Sequence, residues 1–164
     1  MPKLPKTKKN IEVCERFKEP KSSFVQLMTA PQVKSWRALL GAFQYVFSNL
    51  EKGLTSEGYS MSRFQILLTL YFDGPHSAIN ISRKLLVTRG NVSTFLKRLL
   101  ADGLVEASDR SKSGKRPLFC LTDKGIEIFE SVFPRHIDRV KSLMPKLDAS
   151  VIETLSQIPR DSKN

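Results

Sequence analysis

The chain has 164 residues, 40% hydrophobic and 26% charged, a balance that suits one packed domain or one domain with an added arm. Its 27 Lys and Arg against 16 Asp and Glu leave a net charge of +11, which implies a polyanionic partner, either nucleic acid or an anionic membrane surface. No run approaches the roughly 18 apolar residues of a membrane span, the N-terminal MPKLPKTKKN lacks the apolar stretch of a secretory signal, and Cys14 and Cys120 are too few for a disulfide framework. The expected compartment is a reducing cytoplasm, with the protein associated with the nucleoid if DNA is its partner.

Residues 1–21 carry seven basic residues against three acidic ones among prolines, and are expected to form a flexible basic arm. Residues 22–28 (SSFVQLM) form a short apolar strap. A long helix follows, with Thr29 as its candidate cap and Pro31 in its first turn. Along it Val33, Trp36, Leu40, Phe43, Phe47, Leu50 and Leu54 recur at steps of three and four. Leu39, Tyr45 and Val46 widen that apolar face, so it needs cover on more than one side, from the C-terminal helices or from a second subunit.

Ser60 or Ser62 begins the next helix, which stops at Asp73-Gly74-Pro75. A short helix spans about 77–85, and Val87-Thr88-Arg89-Gly90 turns into another that runs to about 102. Leu104–Ala107 and Leu118–Leu121 are predicted strands of a hairpin whose tip is Ser113-Gly114. Thr122 caps a long helix that Pro134, inside it, should bend and that Pro145 ends, and Asp148 caps a final helix closed by Pro159. No repeat of solenoid length is present.

The charge is localised. Residues 82–116 hold nine basic residues against three acidic, while residues 117–164 are balanced. Helix, turn, helix and basic hairpin form the plan of a winged helix-turn-helix, in which the second helix enters the major groove. On a helical wheel Val92, Phe95, Leu96 and Leu99 share one side; Gly90, Thr94 and Lys97 lie opposite, flanked by Asn91, Ser93 and Arg98. Thr88 is the candidate cap, Arg89 suits guanine or phosphate, Asn91 suits an adenine edge, and Ser93 or Thr94 suits either. Gly90 would let the helix approach closely, and Lys97 and Arg98 would hold phosphates. Arg110, Lys112, Lys115 and Arg116 of the hairpin would enter the minor groove. A solvated polar face is the plainer reading of such a helix, and the clustered charge and the hairpin weigh against it.

From His76 to Leu121 the sequence resembles the MarR family of winged helix-turn-helix transcriptional regulators. The features that carry the resemblance are Val87-Thr88, Asn91-Val92-Ser93-Thr94, Arg98-Leu99, Asp102-Gly103-Leu104-Val105 and the junction Leu121-Thr122-Asp123-Lys124-Gly125. Element order extends the likeness to residues 31–158. The wing departs from the family, whose Asp and following Arg are replaced by Ser113 and Lys115. Lys115 lacks the planar fork of Arg.

The resemblance implies a mainly α fold with a small β-hairpin wing. A DNA-binding lobe at 60–122 would join a helical dimerisation region at 29–59 and 123–160, preceded by the arm and strap at 1–28. It implies a homodimer on a pseudo-palindromic double-stranded operator, with Val33, Trp36, Leu40, Phe43, Phe129, Phe133, Val151 and Leu155 at the subunit interface. It also implies a possible small aromatic effector. Trp36, Phe43, Tyr45, Phe47, Phe64, Tyr71 and Phe72 are candidates for its contacts, although their spacing suits plain core better. Neither cysteine has neighbours that lower its pKa, so redox sensing is not the expected control. His76 and His136 lack metal-ligand spacing, and no phosphate loop, nucleophile elbow or carboxylate pair marks an enzyme; no cofactor is expected. The remaining rivals are an architectural DNA binder and a protein-interaction module on the same fold.

Overall fold

The computed structural model describes residues 19–108 and 116–158. Cys14, most of the basic arm, the hairpin tip at Ser113-Gly114 and the closing Pro159 lie outside the described residues. The described residues form two units, divided between Gln44 and Tyr45 within one continuous helix.

The first unit opens with α1 (Ser22–Leu27), so the predicted strap is a helix, with Phe24, Val25 and Leu27 exposed. It continues into α2 (Pro31–Ser56). Thr29 does not cap α2: its hydroxyl donates to the Gln26 carbonyl at 2.7 Å and closes the preceding turn, while the Ala30 carbonyl accepts the first bond of α2, from Lys34 N–H. Trp36 and Phe43 are each 59% exposed, and Val33 and Leu40 are half-buried.

The second unit contains the end of α2, then α3 (Met61–Asp73), α4 (Ala78–Leu85), α5 (Arg89–Ala101), β1 (Val105–Ala107), β2 (Phe119–Leu121), α6 (Asp123–Leu143) and α7 (Ala149–Gln157). Four of these helices start at a hydroxyl whose oxygen accepts the backbone N–H three residues on: Ser60 from Arg63, Ser77 from Asn80, Thr88 from Asn91 and Thr122 from Gly125. Asp148 stands at the α7 start, but its side chain makes no capping bond. Pro134 sits inside an unbroken α6.

Phe64, Ile66, Leu67, Ile81, Val92, Leu96, Leu99, Phe129 and Val132 are almost wholly buried and form the core of this unit. The Phe129 ring lies 5.7 Å from Phe64 and 5.1 Å from Phe133. Phe129 was expected at a subunit interface; at 1% exposure it serves the core of its own chain instead. Phe133 is half-buried against it, with Phe72 5.4 Å away. The aromatics read as core divide: Phe64 belongs to the core and Phe47 packs against it, but the others are more exposed. Of them only Phe64 is fully buried, whereas Trp36, Phe43, Tyr45 and Phe72 are at least 59% exposed.

Glu57, in the turn after α2, is the anchor between that turn and α6. It accepts from both Arg135, at 2.9 Å, and Arg139. Gly53 makes room for this, because a Cβ there would meet the Arg139 side chain at 2.7 Å.

Candidate nucleic-acid interface

The two helices of the motif pack through Ile81 and Leu85 on α4 and Val92, Leu96 and Leu99 on α5. Burying that side of α5 turns its other side outward. Thr88, Arg89, Gly90, Asn91, Ser93, Thr94, Lys97 and Arg98 are all exposed, as the wheel predicts. Their contacts within the chain are few. Thr88 Oγ1 accepts from Asn91 N–H at 3.3 Å, and Thr94 Oγ1 donates to the Gly90 carbonyl at 3.0 Å. Thr94 therefore spends its proton internally and keeps acceptor lone pairs and a methyl facing out. No ion pair among the described residues engages Arg89, Lys97 or Arg98, so their charge is available to an anion.

The position of α5 is held at both ends. At its start Lys84 pairs with Asp73 at 2.7 Å, tying α4 to the end of α3. The lysine ammonium, through its hydrogen bond, holds the Asp73 carboxyl below the usual range. At its far end Asp102 takes a salt bridge from Arg63, and its backbone carbonyl accepts from Lys124 Nζ at 2.8 Å. Gly103 adopts φ +68, which lets Leu104 N–H return to the Leu99 carbonyl at 2.9 Å and turns the chain into the wing.

β1 and β2 pair antiparallel, with Val105 opposite Leu121, Glu106 opposite Cys120 and Ala107 opposite Phe119. Below them the pair is extended by a contact with no sequence signal: His76 N–H and C=O both bond Phe119, at 3.1 and 2.9 Å. His76 is thus a half-buried backbone bridge that fastens the wing to the loop before α4. Of the wing residues, Arg116 is exposed, while Arg110, Lys112 and Lys115 lie outside the described residues.

Cys120 is half-buried, and burial, then its bond to Glu106, pushes its thiol above the ordinary value. That holds it as a poorly nucleophilic thiol. His136 is 7% exposed and lies 4.5 Å from the Phe64 ring; desolvation lowers its pKa. Sequence reasoning assigned His136 no place, and a lone His on a helix carries no local sign of burial. Among the described residues no cluster of His, Cys, Asp or Glu has the arrangement of a metal site, and no helix is long and apolar enough to cross a membrane.

A hydroxyl-capped helix with a small, polar and basic outward face, followed by a paired wing, defines the winged helix-turn-helix class of DNA-binding domain. Residues 59–116 match the model of the MarR family. It is 28% identical over 105 residues, 64% of this chain and 68% of the relative, to an uncharacterised HTH-type transcriptional regulator, YkoM of Bacillus subtilis strain 168. Its fold is similar to that of Sco3205, a MarR family transcriptional regulator from Streptomyces coelicolor solved in complex with DNA. There the TM-score is 0.69 at 21% identity, covering 88% of this chain and 89% of that one. It is also similar to BpsR of Bordetella bronchiseptica, whose DNA binding is regulated by 6-hydroxynicotinic acid. That match has a TM-score of 0.66 at 18% identity, covering 80% of this chain and 99% of the other.

Proposed function

We propose that the protein is a sequence-specific, double-stranded DNA-binding transcription regulator of MarR type, acting as a homodimer on a pseudo-palindromic operator. The observation that carries this reading is the outward face of α5: eight consecutive or near-consecutive positions from Thr88 to Arg98 are exposed, with their charged groups unspent within the chain. In that role Arg89, Asn91, Ser93 and Thr94 meet base edges, and Lys97 and Arg98 hold phosphates. Arg116, with Arg110, Lys112 and Lys115, contributes from the wing.

The dimer is supported by apolar surface that the chain leaves exposed: Trp36 on α2, and Val151 and Leu155 on α7. A two-fold dimer places its half-sites about one helical turn, roughly 34–36 Å, apart. Its site of action would be the cytoplasm, at the nucleoid. Control by a small aromatic effector is supported by the family and by the half-open cluster of Tyr71, Phe72 and Phe133.

In vitro selection from random duplexes, followed by competition with nonspecific DNA, tests the reading. Recovery of a two-fold-symmetric site bound well above the nonspecific level is the expected result. A steep salt dependence with no enriched sequence would instead favour an architectural binder, and no binding at low salt would favour a protein-interaction module.

A further inference from the structure

Two positions flank the Thr88 cap where the chain carries the residue its own fold would not choose. Leu86, the C-cap of α4, adopts φ +53 and ψ +36, the left-handed conformation in which a glycine is unstrained and a leucine is not. Its side chain recovers nothing from packing, being 92% exposed, the most exposed of the described large hydrophobic residues. Gly90 is the reverse case. It lies in the first turn of α5, where alanine is the better helix former, and a Cβ built on it would meet nothing within 4 Å.

Neither choice has an internal reason. Among the described glycines, Gly58, Gly74 and Gly103 have positive φ, and Gly53 and Gly125 are pressed against Arg139 and the Leu104 carbonyl; Gly41 and Gly90 have neither constraint. On the helical wheel Gly90 sits opposite the buried Val92, Leu96 and Leu99, at the centre of the outward face. Longer residues, Arg89 and Asn91, lie to either side. A bare backbone at the most forward point of a helix is what close approach to a second surface requires. Leu86, two residues before the cap, supplies an apolar knob at the same end of the helix. Local choices that lower a fold's stability and are not repaid within it mark contact with a partner.

We infer that Leu86 and Gly90 are direct docking positions for the DNA duplex: Leu86 as an apolar contact to it, and Gly90 as the point where α5 comes nearest to it. This rests on the DNA-binding reading above, and the basic residues beside both positions, Arg83, Arg89 and Lys97, name a duplex rather than an apolar protein surface as the occupant. The apolar chemistry offered to Leu86 by a duplex is deoxyribose carbon or the thymine methyl.

Both predictions run opposite to those for a structural residue. In the full chain, Leu86→Gly and Gly90→Ala should each leave Tm equal to or above that of the unsubstituted protein. Each should weaken binding to the selected duplex at least fivefold, and Gly90→Leu should weaken it further than Gly90→Ala. Because no charge is removed, the slope of log affinity against log salt should stay unchanged. A loss by Leu86→Gly on all duplexes alike assigns deoxyribose, and a loss confined to one thymine assigns its methyl. Binding within twofold of the unsubstituted protein by either single variant overturns the inference. So does a lower Tm, which would return the residue to a structural role, or a shallower salt slope, which would mean lost phosphate contacts. If the unsubstituted protein retains no duplex at all, it is the DNA-binding reading that fails, and this inference falls with it.

Discussion

His136 shows how one buried side chain makes stability depend on pH. Its ring packs on Phe64, and its Nδ1 has no hydrogen-bond partner among the described residues. Desolvation lowers its folded pKa below the ordinary 6.5, so as pH falls through 6.5 the unfolded chain takes up a proton that the folded chain resists. Folding stability should therefore be level above neutrality and decline below about pH 6.5. Thermal unfolding at pH 7.5, 6.5 and 5.5 measures this, and His136→Phe, which keeps an aromatic ring against Phe64, should flatten the decline. An equal slope in both proteins would assign the decline to other groups. Gly125 gives a contrasting steric case. A Cβ there would press on the Leu104 backbone carbonyl, which cannot swing aside as a side chain can. Gly125→Ala should cost about 2–3 kcal/mol in urea unfolding, the upper part of the range for overpacking.

At the level of elements, Thr122 joins the wing to α6. Its hydroxyl donates to the Gly103 carbonyl at 2.7 Å and accepts from Gly125 N–H at 3.0 Å, so one side chain closes the turn before β1 and caps a 21-residue helix. Thr122→Ala should cost about 1–2 kcal/mol, with Thr122→Ser recovering most of it, as read by denaturant midpoints. This element was legible because its signal is local. Ser60, Ser77, Thr88 and Thr122 each precede an apolar run at helical spacing, and all four make the capping bond. The outward face of α5 was legible for the same reason, since periodicity alone separates Val92, Leu96 and Leu99 from Gly90, Thr94 and Lys97. What failed to show were contacts between distant segments. His76 meets Phe119 across 43 positions, and Arg139 meets Glu57 across 82, with no pattern in either neighbourhood. Thr29 misled because two helices compete for its hydroxyl, and the earlier one, through the Gln26 carbonyl, wins. Leu86 did leave a sign, a leucine where a helix end favours glycine, but a sign of strain rather than of pattern.

At the scale of the whole molecule, the last helix poses the sharpest question of what completes the protein. Every described residue of α7 is exposed, including Val151 at 42%, Ile152 at 52% and Leu155 at 36%. A nine-residue helix is marginal in water by itself, and α7 lacks even a side-chain cap. Its apolar stripe must be covered for the helix to persist, and in the proposed two-fold dimer a second copy of the chain would cover it. Fully burying an exposed Val or Leu side chain is worth about 1.5–3 kcal/mol, and Val151 and Leu155 retain 42% and 36% exposure, so Val151→Asp with Leu155→Asp would remove roughly 2–5 kcal/mol of burial from the proposed dimer. That weakens association by a factor of roughly 30 to 4,000. Light scattering should therefore return twice the chain mass for the unsubstituted protein and the single-chain mass for the double variant. The lobe's core does not include Val151 or Leu155, so the isolated variant should still bind one half-site through α5, while losing the gain that comes from engaging two half-sites together. A variant that stays dimeric would remove α7 from the interface, and a variant that is monomeric yet binds the full operator undiminished would remove the dimer from recognition.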